Sequence, residues 1–225
     1  FMQPAFYPVI GNHEYYVDMF HRESPKPSAE QEFDTWCSHL SGQIGERGPM
    51  GSYMLLRPAE RVCYITVPCG FDCEITQELV AWLPEVFLRI PEGYTCIVIG
   101  HAFTFNDDPP YCIREEYRQI CDALDALNQG QIFAFGGKRY DFSGERQRTV
   151  AGIFSGHTHD DECFRTFGGI PLIVTTTDAW EAEMALKRIP GTLSEQAFDA
   201  VDIDFDRRMI HLTRIGAGEN RCFSY

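Results

Sequence analysis

Short apolar runs alternate along this chain with stretches of helical periodicity. The runs predict strands over 6–10, 52–56, 61–67, 95–99, 149–154, 171–176, 198–204 and 209–214. Apolar residues recur on one face over 75–89, which Thr76 can cap, and over 113–128, so both segments are predicted helices. Strands that alternate with helices favour an α/β or α+β fold.

The connections between these elements give the domain organisation. The second and third strands are close enough to form a hairpin, as are the last two. Since the chain contains neither a linker-like segment nor an internal repeat, we expect one domain over residues 1–225 that ends in a β-hairpin at about 198–214. Three segments are predicted loops, namely residues 21–51, 104–112 and 136–147. Such loops either carry functional residues or are surface connections at the rim of the fold.

Composition and charge narrow the range of partners. With 19 Lys and Arg against 33 Asp and Glu, the formal net charge is −14, which argues against nucleic acid and against an anionic membrane surface. No apolar run approaches the roughly 20 residues of a membrane span. We therefore expect a soluble protein without a membrane partner, and the reduced thiols that the cysteine pattern predicts favour the cytoplasm. Because Phe1 precedes Met2 and a strand follows almost at once, we also expect a fragment of a longer protein.

The nine cysteines have no regular spacing, which predicts reduced thiols and not a disulfide framework. Cys63 and Cys96 lie inside apolar runs, where a thiol acts as a small apolar residue. Cys69 and Cys73 have the chemistry of a zinc pair, but the second pair of a usual zinc site is absent. A cysteine zinc site is therefore disfavoured.

Three segments share a pattern in which an apolar strand runs into glycine and then into polar side chains. They are Pro8–Glu14, Ile97–Ala102 and Ala151–His159. Because strand ends converge at one edge of a parallel sheet, loops distant in sequence can deliver side chains to one point. A single histidine is more often a surface or hydrogen-bonded core residue. The repeated strand–glycine–ligand pattern favours a shared metal site instead.

The side chains in these segments suit a borderline divalent cation. Neutral imidazoles and an amide oxygen are ligands for Mn²⁺, Fe²⁺ or Zn²⁺, and a preceding glycine allows a tight turn and close approach. His157 and His159 alternate across Thr158 and would face opposite ways on an extended backbone. At a turn they can reach two adjacent ions.

These motifs resemble a known family. Gly11-Asn-His-Glu14, Gly100-His101 and Gly156-His-Thr-His159 are similar, in order, to the last three motifs of the calcineurin-like metallophosphoesterases. The resemblance covers about residues 6–178, and 195–217 is similar to the closing hairpin of bacterial members. It implies a four-layer α/β/β/α sandwich of two mixed sheets flanked by helices.

The resemblance also implies two divalent metal ions and a ligand set. The second metal site would take the Asn12 side-chain oxygen, His101 and His157, and the first would take His159. Family members hydrolyse phosphate esters, monoesters or diesters, by in-line attack of a metal-bound hydroxide on phosphorus. The expected partner is thus a phosphate-ester substrate.

Two further residues acquire catalytic roles from the resemblance. His13 would be the general acid that protonates the leaving alkoxide, or a donor to the transferring phosphoryl group. Glu14 would hold its imidazole in orientation and raise its pKa.

The chain departs from the family upstream of Gly11. The DxH and GDxxD motifs should precede it, and only ten residues do, so ligands of the first site and the bridging Asp are missing. Either an N-terminal portion with its strands lies in a longer protein, which we favour, or the chain is a natural remnant. We expect this chain alone to bind metal weakly and to have little activity. Homo-oligomerisation is one way to cover the sheet edge left exposed.

The rival hypothesis is a non-catalytic binding or scaffold protein on the same fold. It would use the rim loops to hold a partner and would need neither His13 nor Glu14.

Four further groups of residues are weaker candidates for the site. Asp160 and Asp161 would be hydrogen-bond acceptors for the metal-bound histidines, and Phe103, Phe105 and Tyr111 would form an apolar wall for the substrate. Residues 175–178 and Trp180 would border the site, and the candidates for phosphate contacts are Arg114, Arg139 and Arg146.

Overall fold

The computed structural model describes residues 8–13, 28, 31, 33–35, 45–103, 114–144, 148–176 and 188–225. Its strands are β1 (Glu46–Arg47), β2 (Tyr53–Arg57), β3 (Val62–Val67), β4 (Thr95–Gly100), β5 (Ile132–Phe135), β6 (Lys138–Asp141), β7 (Thr149–Ser155), β8 (Glu162–Arg165), β9 (Pro171–Val174), β10 (Ala197–Asp204), β11 (Met209–Gly216) and β12 (Arg221–Ser224). Helix α1 spans Gln77–Phe87 and helix α2 spans Glu115–Gln129.

A mixed sheet of seven strands in the order β1-β2-β3-β4-β7-β9-β8 forms the centre of the fold. The four strands β3, β4, β7 and β9 are parallel to one another, and the outer strands pair antiparallel. Parallel neighbours need a crossover, and α1 supplies the one between β3 and β4. This parallel block brings the carboxyl ends of four strands to one edge.

Both helices cover one face of this sheet. In α1 the Thr76 hydroxyl accepts from the Leu79 N–H at 3.3 Å, which caps the first turn as the sequence predicts. Leu79, Leu83 and Phe87, each four residues from the next, are buried against the strands. Helix α2 ends at Gly130, whose φ of 62° is the left-handed conformation that glycine adopts without strain.

The opposite face packs on a small sheet of β10, β11 and β12. Ile210 and Leu212 of β11 are buried against Ile173 of β9, and Ile203 of β10 packs on a second cluster around Ile97. The resulting order is helices, large sheet, small sheet. The predicted α/β class with a large mixed sheet is therefore confirmed, and the described residues form these three of the four expected layers.

Some local predictions differ from the structure. Residues 8–10 are not in a strand, because the Ile10 carbonyl accepts from the Cys69 N–H at 3.2 Å outside any ladder. Part of the predicted loop 136–147 is strand β6, which pairs with β5 across Gly136 and Gly137. Their φ values of 57° and 77° provide the left-handed two-residue turn of a tight hairpin. Residues 104–112 lie outside the described part.

Among the described residues, no helix is both long and apolar enough to cross a bilayer.

Candidate functional site

The sequence-predicted ligands lie where the parallel strands end. His101 directly follows β4, and His157 comes two residues after the end of β7. The loop from Cys69 to Cys73 follows β3 at the same edge. Because β3, β4 and β7 are adjacent and parallel, these loops meet although they are far apart in sequence.

Asn12 and His101 are in direct contact. The Asn12 Oδ1 lies 2.8 Å from the His101 Nε2, and Asn12 is buried, with 8% of its surface exposed. Gly11 allows this approach, because a Cβ there would lie 2.6 Å from the His101 Nδ1. The glycine before Asn12 is thus required by the packing of the imidazole ring.

The loops after β4 and β7 are held together by the His101 carbonyl. It accepts from the Gly156 N–H at 3.0 Å and from the Ser155 hydroxyl at 2.9 Å. The centroids of the His101 and His157 rings are consequently 5.2 Å apart. Asn12, His101 and His157, predicted as ligands of one metal, therefore form one cluster.

The segment that carries His157 and His159 is a tight turn. Both residues are in the left-handed region, with φ of 72° and 61°, and the Thr158 N–H donates to the Gly156 carbonyl at 2.9 Å. The Thr176 hydroxyl donates to the His159 carbonyl at 2.6 Å and so ties the turn to the end of β9. This is the turn that the sequence requires for two histidines to serve one centre.

His13 lies on the solvent side of the cluster. It is exposed, and its ring centroid is 6.4 Å from that of His159. The structure thus places the predicted general acid beside the predicted ligand of the first metal site. Glu14, its predicted partner, lies outside the described residues.

The electrostatics of the cluster keep His101 neutral. Burial, together with the neighbouring imidazoles of His157, His13 and His159, lowers the pKa of His101 from 6.5 to about 4. At neutral pH this ring carries no charge and has a nitrogen lone pair, which is the form that coordinates a cation.

The donor set fits a divalent cation in chemistry and is incomplete in number. Within the described part of the chain, no group of three or more His, Cys, Asp or Glu side chains is arranged to hold a metal ion. The Asn12 oxygen and the two imidazoles of His101 and His157 are nevertheless neutral donors of the kind that Mn²⁺, Fe²⁺ and Zn²⁺ accept. A complete centre therefore needs donors beyond the residues described.

We expect the Gly11→Ala variant to displace the His101 ring. Its Cβ would overlap an imidazole that already contacts Asn12, so the His101–Asn12 contact is lost at a cost of about 1–3 kcal/mol in stability. Urea unfolding measures this cost. Gly144→Ala is the matched control, because nothing lies within 4 Å of its Cβ position. Equal stability of the two variants would contradict the packing argument.

A thiol that the motif pattern does not reveal lies next to the cluster. The Cys73 Sγ lies 3.5 Å from the His157 Nε2 and 3.6 Å from its Nδ1. A hydrogen bond from the Cys69 side chain lowers the pKa of Cys73 to about 5 against the effect of burial, and His157 contributes in the same direction. The sequence signal for this thiol is that Val67-Pro-Cys69 ends a predicted strand. In the structure this strand is parallel to β4, so the loop after it lies beside the histidines.

Asp161 belongs to an ion-pair network with two arginines of the small sheet. Its Oδ1 accepts from the Arg214 Nη2 at 2.7 Å and from the Thr176 N–H at 3.1 Å, and it pairs with Arg221 at 3.2 Å. Burial raises the pKa of Asp161, but these donors outweigh it and the net shift is downward. The residue anchors the histidine turn to the small sheet.

The remaining candidates have different surroundings. Phe103 is fully buried and packs edge-to-face on Tyr117 at 4.9 Å, so it belongs to the core and not to an apolar wall. Arg114 donates to the Asp72 carbonyl in the loop that leads to Cys73, whereas Arg139 is exposed on β6. Outside the described residues lie Phe105, Tyr111, Arg146, residues 177–178 and Trp180.

An apolar groove borders the site. It has a volume of about 610 Å³ and lies between β10 and the large sheet. Ile99, Phe154 and Thr176 are among its lining residues, and Thr176 also holds the His159 carbonyl. The groove therefore begins at the same strand ends as the histidine cluster.

Comparison with known proteins shows a likeness in structure. No protein-family model and no curated protein matches the sequence. A crystal structure of a dimetal phosphatase from Danio rerio superposes with a TM-score of 0.57 over 96% of this chain and 71% of that one, at 13% identity. The chain has the fold of a dimetal phosphatase. At this identity the phosphatase-like fold is shown, and the activity is a separate question.

Proposed function

We propose that this protein is a metal-dependent hydrolase of phosphate esters. The observation that carries the proposal is the convergence of Asn12, His101 and His157 at one edge of the sheet, with His13 and His159 beside them. The dimetal phosphatase with the same fold supports it. The substrate class is a phosphomonoester or phosphodiester.

The chain's own residues would hold the metal ions. Asn12, His101 and His157 would bind one divalent ion, and His159 would contribute to a second. We infer that carboxylates outside the described residues complete the set. Bound Mn²⁺, Fe²⁺ or Zn²⁺ would neutralise the phosphoryl oxygens and supply a nucleophile at neutral pH.

The protein residues then have defined tasks. The low pKa of His101 keeps its imidazole neutral, so protons do not compete for it near pH 7. The exposed His13 is reachable by a substrate and would donate a proton to the departing oxygen. Arg114, next to the Cys73 loop, would contact a phosphate oxygen.

Metal binding and turnover test the proposal together. We expect this chain to bind Mn²⁺ weakly in calorimetry and to hydrolyse p-nitrophenyl phosphate or its bis-ester slowly, and His101→Gln to lose at least about 100-fold in rate, equivalent to about 3 kcal/mol. His211→Gln is the control, because His211 is an exposed histidine on β11. Retained Mn²⁺ binding and turnover in His101→Gln would refute the ligand assignment. Mn²⁺ binding without hydrolysis of either ester would favour a scaffold instead.

A further inference from the structure

Two cysteines lie at the two ends of a tight turn after β3. Neither residue is in a disulfide, and the Gly70 N–H donates to the Glu74 carbonyl at 2.9 Å within this turn. Cys69 is fully buried, whereas Cys73 is partly exposed. The loop closes through a hydrogen bond from the Cys73 N–H to the Gly70 carbonyl at 3.0 Å, which keeps the two side chains together.

The more exposed thiol of this pair also contacts the histidine cluster. Its sulfur lies within 3.6 Å of both ring nitrogens of His157, and the Cys73 carbonyl accepts from the Tyr117 hydroxyl at 3.0 Å. The backbone of Cys73 is thus fixed, and its sulfur lies between the second thiol and a predicted metal ligand.

A second thiol pair provides an internal contrast. Cys63 and Cys96 are direct neighbours on β3 and β4, and their side chains are hydrogen-bonded. Both are fully buried, beneath the helices that cover this sheet face. Each pair brings two cysteines close together. The two pairs differ in solvent exposure, because only Cys73 is partly exposed.

We propose that Cys69 and Cys73 are a modification site, a thiol pair that hydroperoxides convert to a disulfide, and that the disulfide withdraws the Cys73 sulfur from His157. The formation of the disulfide depends only on the geometry of the pair. Its effect on metal binding rests on the function proposed above.

The oxidation is balanced by the peroxide. The Cys73 sulfur attacks one peroxide oxygen, the O–O bond breaks, and the departing oxygen takes the thiol proton, which leaves a sulfenic acid on Cys73. The Cys69 sulfur then attacks the Cys73 sulfur, the S–O bond breaks, and the hydroxide leaves as water with the Cys69 proton. Two thiols and one hydrogen peroxide give one disulfide and two waters.

Loss of the sulfur contact has a consequence for the metal site. A sulfur beside an imidazole is an outer partner that orients the ring of a metal ligand. We expect the disulfide to weaken Mn²⁺ binding about tenfold, since loss of an outer-shell partner typically costs 10–100-fold in metal affinity.

Peptide mapping after peroxide treatment tests the disulfide. Chymotrypsin cleaves after Tyr64 and Phe71, which places Cys63, Cys69 and Cys73 in three different peptides. Treatment with hydrogen peroxide, alkylation and digestion should yield a linked species that contains Cys69 and Cys73 and separates on reduction. Cys69→Ser and Cys73→Ser should each abolish it, and Cys63 should stay linked to nothing. Linkage of other cysteines, or only a sulfenic or higher acid on Cys73, would overturn the proposal.

Calorimetry with Mn²⁺ tests the consequence. Peroxide should weaken Mn²⁺ binding of the wild type and leave the Mn²⁺ affinity of Cys73→Ser unchanged, because this variant has no sulfur at position 73 to oxidise. Cys73→Ala should bind more weakly than Cys73→Ser, whose oxygen retains an acceptor. Disulfide formation with unchanged Mn²⁺ affinity would overturn the coupling. Absence of Mn²⁺ binding in the reduced wild type would refute the proposed function, while the mapping would still decide the disulfide.

Discussion

Arg214→Met should lower the free energy of unfolding by about 3–5 kcal/mol, the range for breaking a buried ion pair by removal of one partner. Arg214 has 2% of its side chain exposed and donates to Asp199 at 2.8 Å, to Asp161 at 2.7 Å and to the Ala217 carbonyl at 2.7 Å. Burial lowers its pKa, but the two carboxylates raise it more, so the net shift is upward. In the methionine variant, Arg221 would remain as the arginine partner of Asp161 and Asp199.

Urea unfolding followed by circular dichroism measures this difference. The matched control is Arg207→Met, because the Arg207 side chain is 83% exposed and pairs with Asp204 at 3.5 Å. Exposed pairs contribute about 0–1 kcal/mol, so this control should remain close to wild type. If Arg214→Met were as stable as the control, the ion-pair network would not be what joins the two sheets at this point.

The network has a functional side as well. Asp161 comes two residues after His159, and it also accepts from the Thr176 N–H. Loss of Arg214 therefore releases the histidine turn on one side. We expect Mn²⁺ binding by Arg214→Met to weaken under conditions where the variant is still folded.

His13→Ala should reduce kcat by about 100- to 10,000-fold on esters with poor leaving groups, the usual contribution of a general acid. The prediction rests on the proposed function and on the exposed position of His13 beside His159. Metal content should be unchanged, because His13 is not among the expected ligands. A nitrophenolate departs without a proton, so the loss should be much smaller on p-nitrophenyl phosphate than on phenyl phosphate.

The comparison of the two substrates identifies the role. His211→Ala serves as a control for removal of an exposed histidine. An equal loss on both esters would assign His13 to contacts with the phosphoryl group, which is the other role considered for it. An unchanged rate on both would remove it from catalysis and would count in favour of a binding protein.

Local periodicity predicted most of the regular elements. The helices at 77–87 and 115–129 lie within two residues of the expected bounds, because their apolar faces and the Thr76 cap are coded within each segment. Strands β2, β3, β4, β7, β10 and β11 were found for the same reason. Short exposed strands such as β8 and β12 were missed, since their existence depends on a partner strand and not on their own pattern.

The sequence alone determined which residues to examine, because glycine and ligand-type side chains recur after short apolar runs at 11–13, 100–101 and 156–159. Only the tertiary structure decided how they meet. The parallel order β3-β4-β7 brings His101 and His157 together and brings Cys73 to His157, a contact no spacing reveals, whereas Asn12 joins them through its contact with the His101 ring. Asp161 likewise lies next to the histidines in sequence but is bound by arginines more than 50 residues away, because sheet packing, and not chain proximity, selects its partners.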